Sequence, residues 1–333
     1  MPPPFGRPCI ETPPGTGAGQ IWGASPNLLA SMTPSRLRYF SDIDQFVLTG
    51  VSSIGNANSI ATSQDGETWV LRNSNGSAVI FRDVSRSQIT GRLVAGGTRN
   101  GGVANNLISF SDDNGATWTN VNPSEPDMQT NGMIWHQASG LFVAGVGSFS
   151  GTPVGTRVMT SPTGAIWTPR STPITNVTSL ATDGTRIVAV GNGIMYSDDA
   201  AVWTNAGVVA TWMDVVWSPA LSLFTAINQS IAGFRVSTSP TGAVWTPRAT
   251  PADNAWQRIA WGGPAANILA AVANSGTLNR IMVSTTAVSG WATRTPPDFV
   301  YAGIDYSTML GKFVAAASSS GSTVFVISST VNP

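Results

Sequence analysis

Ser111-Asp112-Asp113-Asn114-Gly115-Ala116-Thr117-Trp118 is the stretch on which the reading of this chain turns. An Asp two residues after a Ser can hold backbone donors inside a tight turn, Gly supplies a positive φ, and Trp closes the turn by packing inward. The same turn recurs as SQDGETW (Ser63 to Trp69), SPTGAIW (Ser161 to Trp167), SDDAAVW (Ser197 to Trp203), SPTGAVW (Ser239 to Trp245) and STTAVSGW (Ser284 to Trp291). A weaker version, TGAGQIW, ends at Trp22. The tryptophans Trp22, Trp69, Trp118, Trp167, Trp203, Trp245 and Trp291 therefore follow one another at intervals of about 45 residues, the length of a four-stranded repeat.

Between the turns the same grammar returns. Two apolar strands joined by a short polar turn come first, as in MIWHQASGLFVAGVG (Met133 to Gly147), VVWSPALSLFTAIN (Val215 to Asn228) and IAWGGPAANILAAVA (Ile259 to Ala273). Near-continuous hydrophobicity predicts strands buried on both faces. A Gly- and Asn-rich loop and a third strand follow, such as NLISFS (Asn106 to Ser111). The Trp turn then leads into an outer strand, where Pro and Arg, as in Trp167 to Arg170, suit an exposed edge. The last segment, Ser322 to Pro333, reads as a third strand without its turn, and Gln20 to Ser25 as a fourth strand without a predecessor. Together they complete one unit. The expectation is an all-β fold, a seven-bladed β-propeller over residues 20–333 with the N- and C-terminal strands closing one blade, preceded by an extended Pro/Gly-rich arm over residues 1–19.

The pattern Ser-x-Asp-x-Gly-x-Thr-Trp, complete at Ser111 to Trp118, resembles the Asp-box, or BNR, repeat. Asp65, Asp113 and Asp199 keep the carboxylate; Thr163, Thr241 and Thr286 replace it, and the copy at Asp199 lacks the Gly. The resemblance implies that the seven tryptophans and three aspartates are structural, on the propeller rim away from a ligand face. Asp-box propellers are similar to sialidases and other glycoside hydrolases, sorting receptors, a photosystem assembly factor and bacteriophage virion proteins, and fold alone does not choose among these.

Composition narrows the classes. The chain has 333 residues with 17 basic and 17 acidic side chains and no basic run, which argues against nucleic acid as a partner. A single cysteine, Cys9, excludes an internal disulfide, and a single histidine, His136, removes most routes to a zinc site. Apolar runs are strand-sized, so no membrane insertion is expected, and the N-terminal sequence lacks a secretory signal's apolar stretch. Synthesis in a host cytoplasm without export by that route is the expectation. No cofactor is indicated.

A sialidase-like site would need an arginine cluster, an acid and a Tyr–Glu pair. The three glutamates, Glu11, Glu67 and Glu125, fall in the arm, a Trp turn and an inter-blade loop. Asp42, Asp44, Asp183 and Asp305 read as turn residues. Asp214, Asp253 and Asp298 precede inner strands and are the candidate acids for a glycosidase. His136 reads as a packed or hydrogen-bonded histidine, since no triad accompanies it. Arg157, Arg235 and Arg280, with Arg72, Arg170, Arg248 and Arg294, read as edge protection, with an anion-binding patch as the functional alternative. The chain is accordingly expected not to be an enzyme and to have no catalytic, cofactor or metal residues.

The variable loops then become the informative surface. Val51 to Asn58, Gly96 to Asn106, Asn120 to Asn131, Gly145 to Gly155 and Thr250 to Trp256 share one face and are rich in Gly, Asn, Ser and Thr. The expected function is a non-catalytic structural or attachment component of a bacteriophage virion, associated with the tail. Its expected partners are other virion proteins, held through residues 1–19, and a host surface glycan. The alternatives are a carbohydrate-binding or assembly-factor propeller, and a sialidase-like glycoside hydrolase.

Overall fold

The computed structural model describes residues 22–29, 32–52, 59–72, 79–99, 106–121, 129–147, 156–319 and 322–328. Residues 1–19, read as an arm, lie outside them, as do most of the loops between residues 52 and 155 that were assigned to a contact face. The described chain is all-β apart from one helical turn.

It begins with β1 (Trp22–Leu29). Then come β2 (Met32–Phe40), β3 (Gln45–Ser52), β4 (Ile60–Ser63) and β5 (Val70–Arg72), followed by β6 (Val79–Arg86), β7 (Leu93–Arg99), β8 (Asn106–Ser111) and β9 (Thr119–Val121). Next are β10 (Gln129–His136), β11 (Leu141–Gly147), β12 (Thr156–Ser161) and β13 (Thr168–Ser171), then β14 (Val177–Thr182), β15 (Ile187–Gly191), β16 (Ile194–Ser197) and β17 (Thr204–Asn205). After them stand β18 (Trp212–Ser218), β19 (Leu223–Asn228), β20 (Val236–Ser239) and β21 (Thr246–Arg248). The chain continues with β22 (Trp256–Trp261), the turn α1 (Gly263–Ala266), β23 (Leu269–Ala273), β24 (Ile281–Ser284) and β25 (Ala292–Arg294), and ends with β26 (Val300–Ser307), β27 (Lys312–Ser319) and β28 (Ser322–Ser328).

These strands pair as antiparallel four-stranded meanders, and β2–β5 and β6–β9 merge into one eight-stranded sheet through a single pair, Val51 with Ile80. The two chain ends share a sheet, as their sequences predicted: β1 pairs with β28, Trp22 opposite Ser328 and Gly23 opposite Ile327. First strands pack in succession, β2 on β6, β6 on β10, β10 on β14, β14 on β18, β18 on β22 and β22 on β26. β26 then packs back on β2, so the circle is closed.

The core lies between successive sheets. Val47 and Ile60 of one meander meet Phe81, Leu93 and Trp118 of the next, while Met32, Leu37 and Phe46 meet Val314, Ala316 and Phe325 of the sheet that holds both ends. Each Val, Leu, Ile, Phe or Met among them contributes roughly 1.5–3 kcal/mol by leaving water. Cross-strand aromatic pairs repeat at the start of second strands: Tyr39 with Phe46, Trp135 with Phe142, Trp217 with Phe224 and Tyr306 with Phe313, at centroid distances of 4.6–4.9 Å.

The Trp turns are built as their sequence requires. Gly66, Gly115, Gly164 and Gly242 have φ between 73° and 83° and donate their N–H to the Oγ of Ser63, Ser111, Ser161 and Ser239 at 2.8–2.9 Å. The indole N–H of Trp69, Trp118, Trp167 and Trp245 closes each turn on the same glycine's carbonyl at 2.8–3.1 Å. Asp65 accepts from the N–H of Glu67 and Thr68, Asp113 from Thr117, and Asp199 from Ala201 and Val202. Trp22 is buried at the start of β1, 6.0 Å from the ring of Phe313. Trp203 and Trp291 are buried too, with Ala200 (φ 63°) and Ala287 (φ 62°) at the turn position that Gly holds elsewhere.

Candidate functional site

Every first strand carries one extra residue at the same place. The register with the second strand shifts between Pro34 and Arg36, Phe81 and Asp83, Thr130 and Gly132, Val177 and Ser179, Trp212 and Asp214, Trp256 and Arg258, and Tyr301 and Gly303. A bulge leaves one residue unpaired and re-aims its side chain. The bulged residues Ser35, Arg82, Asn131, Thr178, Met213, Gln257 and Ala302, joined by Arg258, line one cavity of about 270 Å³. Residues from every first strand thus meet at the axis, at the end of the circle where these strands begin.

Below this mouth the axis is filled by charge. Arg36, 3% exposed, sits between two fully buried carboxylates: its Nη1 lies 2.9 Å from Asp214 Oδ1 and its Nε 3.7 Å from Asp83 Oδ1. Arg38 grips Asp83 through two bonds, Nε to Oδ1 at 2.9 Å and Nη2 to Oδ2 at 2.8 Å. The carboxylates also accept backbone donors from neighbouring strands, Asp83 from the Met133 N–H and Asp214 from the Ile259 N–H, both at 3.0 Å. Ser179 Oγ donates to Asp214 at 2.5 Å. Burial alone would raise the Asp83 pKa, but Arg38 and Arg36 outweigh it and hold the carboxyl below its ordinary range. Burial opposes the charge on Arg38 as well, and pairing with Asp83 prevails, raising its pKa.

Two arginines of the mouth are provided for differently. Arg258 donates only to backbone carbonyls, Gln257 at 2.9 Å and Ser35 at 3.5 Å, and its buried Nε has no partner among the described residues. Burial, reinforced by Arg36, lowers its pKa to about 10. With the Gln129 amide turned so that its oxygen faces Arg82, that oxygen accepts from Nε and Nη2, both at 2.6 Å, and burial lowers the Arg82 pKa too.

The opposite end of the axis opens into a cavity of about 540 Å³ lined by Arg38, Asp42, Trp135, Asp183, Trp217 and Asp305, among others. Asp305 accepts the backbone N–H groups of Tyr39 and Tyr306 at 2.8 Å, and burial raises its pKa despite Arg38 nearby. Among the described residues no three His, Cys, Asp or Glu side chains come together as a metal site.

The residues singled out by sequence are distributed as follows. Asp214 and Asp305, read as lying before a strand and in a turn, sit inside β18 and β26 and face the axis. Asp253 and Asp298 are ion-paired with Arg235 and Arg280 of their own meanders, each at 3.3 Å, so they clamp a loop to a third strand. Arg72, Arg170 and Arg248 each donate Nε to a third-strand threonine, Thr62, Thr160 and Thr238, at 2.9 Å. His136 is fully buried between Ser139 Oγ (2.8 Å) and the Thr185 carbonyl (2.9 Å). The carbonyl can only accept, so the ring proton sits on Nε2. The axial arginines and Asp83 were not found by sequence reading. The available signal was register: Arg36, Asp83, Ser179, Asp214 and Arg258 occupy one position of the repeat, the residue that follows the bulge in each first strand.

No family model and no curated sequence matches the chain. Solved structures do. Virginiamycin B lyase from Staphylococcus aureus superposes with a TM-score of 0.70 at 12% identity, covering 92% of this chain and 99% of that one. A streptogramin B lyase superposes with a TM-score of 0.71, also at 12% identity, covering 92% and 97%. A β-propeller domain from Myceliophteria thermophila gives 0.62 at 10% identity over 92% and 99%. At such identities the likeness concerns the fold, which is that of a β-propeller. It also corrects one expectation, that the chain is not an enzyme. That reading rested on a missing sialidase set, whereas lyases stand among the propellers this chain matches, so a lack of glycosidase groups does not exclude catalysis.

Proposed function

We propose that this chain is a seven-bladed β-propeller with Asp-box turns that recognises a small polar ligand at its axial mouth. Counting β2–β5 and β6–β9 as separate blades, because one residue pair joins them, supports the number seven. The observation that carries the binding reading is the ring of bulges. Each first strand gives up a ladder position to aim Ser35, Arg82, Asn131, Thr178, Gln257 or a small or flexible neighbour into one cavity, closed beneath by a buried ion network. Convergent polar groups over a rigid floor suit orientation of a ligand. Met213→Trp fills the mouth without touching the network. Ligands found by thermal-shift screening of a small-molecule and glycan library should lose their effect in this variant; ligands that still bind it equally well would sink the reading.

The proposed setting remains a bacteriophage virion, with residues 1–19 attaching the propeller to the tail. What supports it is sequence alone, the Pro- and Gly-rich composition of that segment. Mass spectrometry of purified particles, with and without residues 1–19, is the direct test: incorporation that does not depend on the segment would overturn it.

A further inference from the structure

We infer that the axial mouth is a carboxylate-binding site, in which Arg258 and Arg82 hold the ligand's anionic group. The inference deepens the binding reading above and rests on it. Its first ground is charge. The described residues that line the mouth include two guanidinium groups, Arg82 and Arg258, and no carboxylate, while the two carboxylates beneath, Asp83 and Asp214, are matched by Arg36 and Arg38. Arg82 and Arg258 are left without a carboxylate among the described residues. In a buried setting such an excess calls for a counter-charge, and the open space that both arginines line is the mouth.

The second ground is geometry. Asp83 and Asp214 are already committed to Arg36 and Arg38, so neither can neutralise Arg258. Arg258 is one of the cavity's lining residues; its buried Nε has no partner among the described residues, whereas its Nη groups rest on neutral carbonyls. An arginine whose Nε–H lacks an acceptor presents the donor edge that a carboxylate fills with two parallel bonds. Arg82, held by Gln129 alone, adds a second cation to the same rim, and Asn131 and Thr178 line the cavity with groups that can bond the rest of the ligand. Of the two arginines only Arg258 has an Nε without an acceptor among the described residues, and one open fork takes one carboxylate.

The test uses the full chain, 15N-labelled, titrated with sodium acetate and separately with inorganic phosphate at constant ionic strength, chloride serving as control. Acetate should shift the Nε–H signals of Arg258 and Arg82 saturably, with Nε of Arg38 unmoved. Arg258→Gln should weaken the response at least about tenfold. Arg82→Gln, which leaves Arg258 in place, is the second variant should the first not fold, and it should weaken acetate binding as well. Saturation by phosphate without acetate, or an acetate response unchanged in either variant, would overturn the inference. So would a neutral ligand that binds the mouth and is lost in Met213→Trp while acetate has no effect; that outcome would leave the mouth's role as a binding site standing.

Discussion

Arg36 reaches across the axis to Asp214, Nη1 to Oδ1 at 2.9 Å, although β2 packs beside β6 and β26 and not beside β18. The pair ties opposite sides of the circle together in a fully buried setting. Asp214→Ala strands the Arg36 charge and should cost about 3–5 kcal/mol in urea unfolding. Replacing both partners, Arg36→Met with Asp214→Leu, should recover much of that loss. If the double variant is as unstable as the sum of the single ones, the two residues are not coupled and the network is not a unit.

Acid should act on the fold in two ways with opposite signs. Asp83 is held below its ordinary pKa by Arg38 and Arg36 against the effect of burial, and Asp199 by the N–H groups of Val202 and Ala201. A depressed carboxyl contributes stability that is complete above the unfolded value, about 4, and is lost as pH falls below it through the folded value. Asp305, raised by burial, works the other way: its cost to the fold is relieved as pH falls through its folded value toward 4. Urea midpoints should therefore change little, or rise slightly, from pH 7 to just above 4, then fall steeply. A midpoint that declines evenly from pH 7 would contradict this division.

How far the sequence discloses the molecule is visible at particular residues. Trp22 to Trp291 and their turns were legible because a turn is a local object: Ser, Asp, Gly and Trp bond to one another within eight residues. The pairing of β1 with β28 was legible because each end lacked the strand the other supplies. Arg36, Asp83 and Arg258 were not, because their partners come from different repeats and meet only where all first strands converge. Local composition shows an apolar strand with an occasional charge; it does not show that the charge faces a shared axis.

Ala200 and Ala287 occupy positions with φ near 60°, where the other well-kept turns have Gly. An L-residue there costs about 1–2 kcal/mol, partly offset by the extra freedom Gly gives the unfolded chain. Ala200→Gly should raise stability by about 0.5–1 kcal/mol, read as a higher Tm. No gain would mean that the Cβ of Ala200, fully buried against the neighbouring sheet, contributes packing that matches the strain.

Removing residues 1–29 deletes β1 and exposes the edge of β28, whereas removing residues 1–19 leaves β1 in place. The longer deletion should yield a chain that aggregates or melts well below the full chain, and the shorter should melt with it. Equal melting of both would show that closure by β1 contributes little.

Trp22 and Ser328 stand opposite one another at the end of their sheet where the Trp turns lie, and the bulges gather at the other end of the strands. The described molecule therefore has a polarity: a contact made at Trp22 and Ser328 would lie at the end opposite the arginine-rimmed opening and leave that opening uncovered.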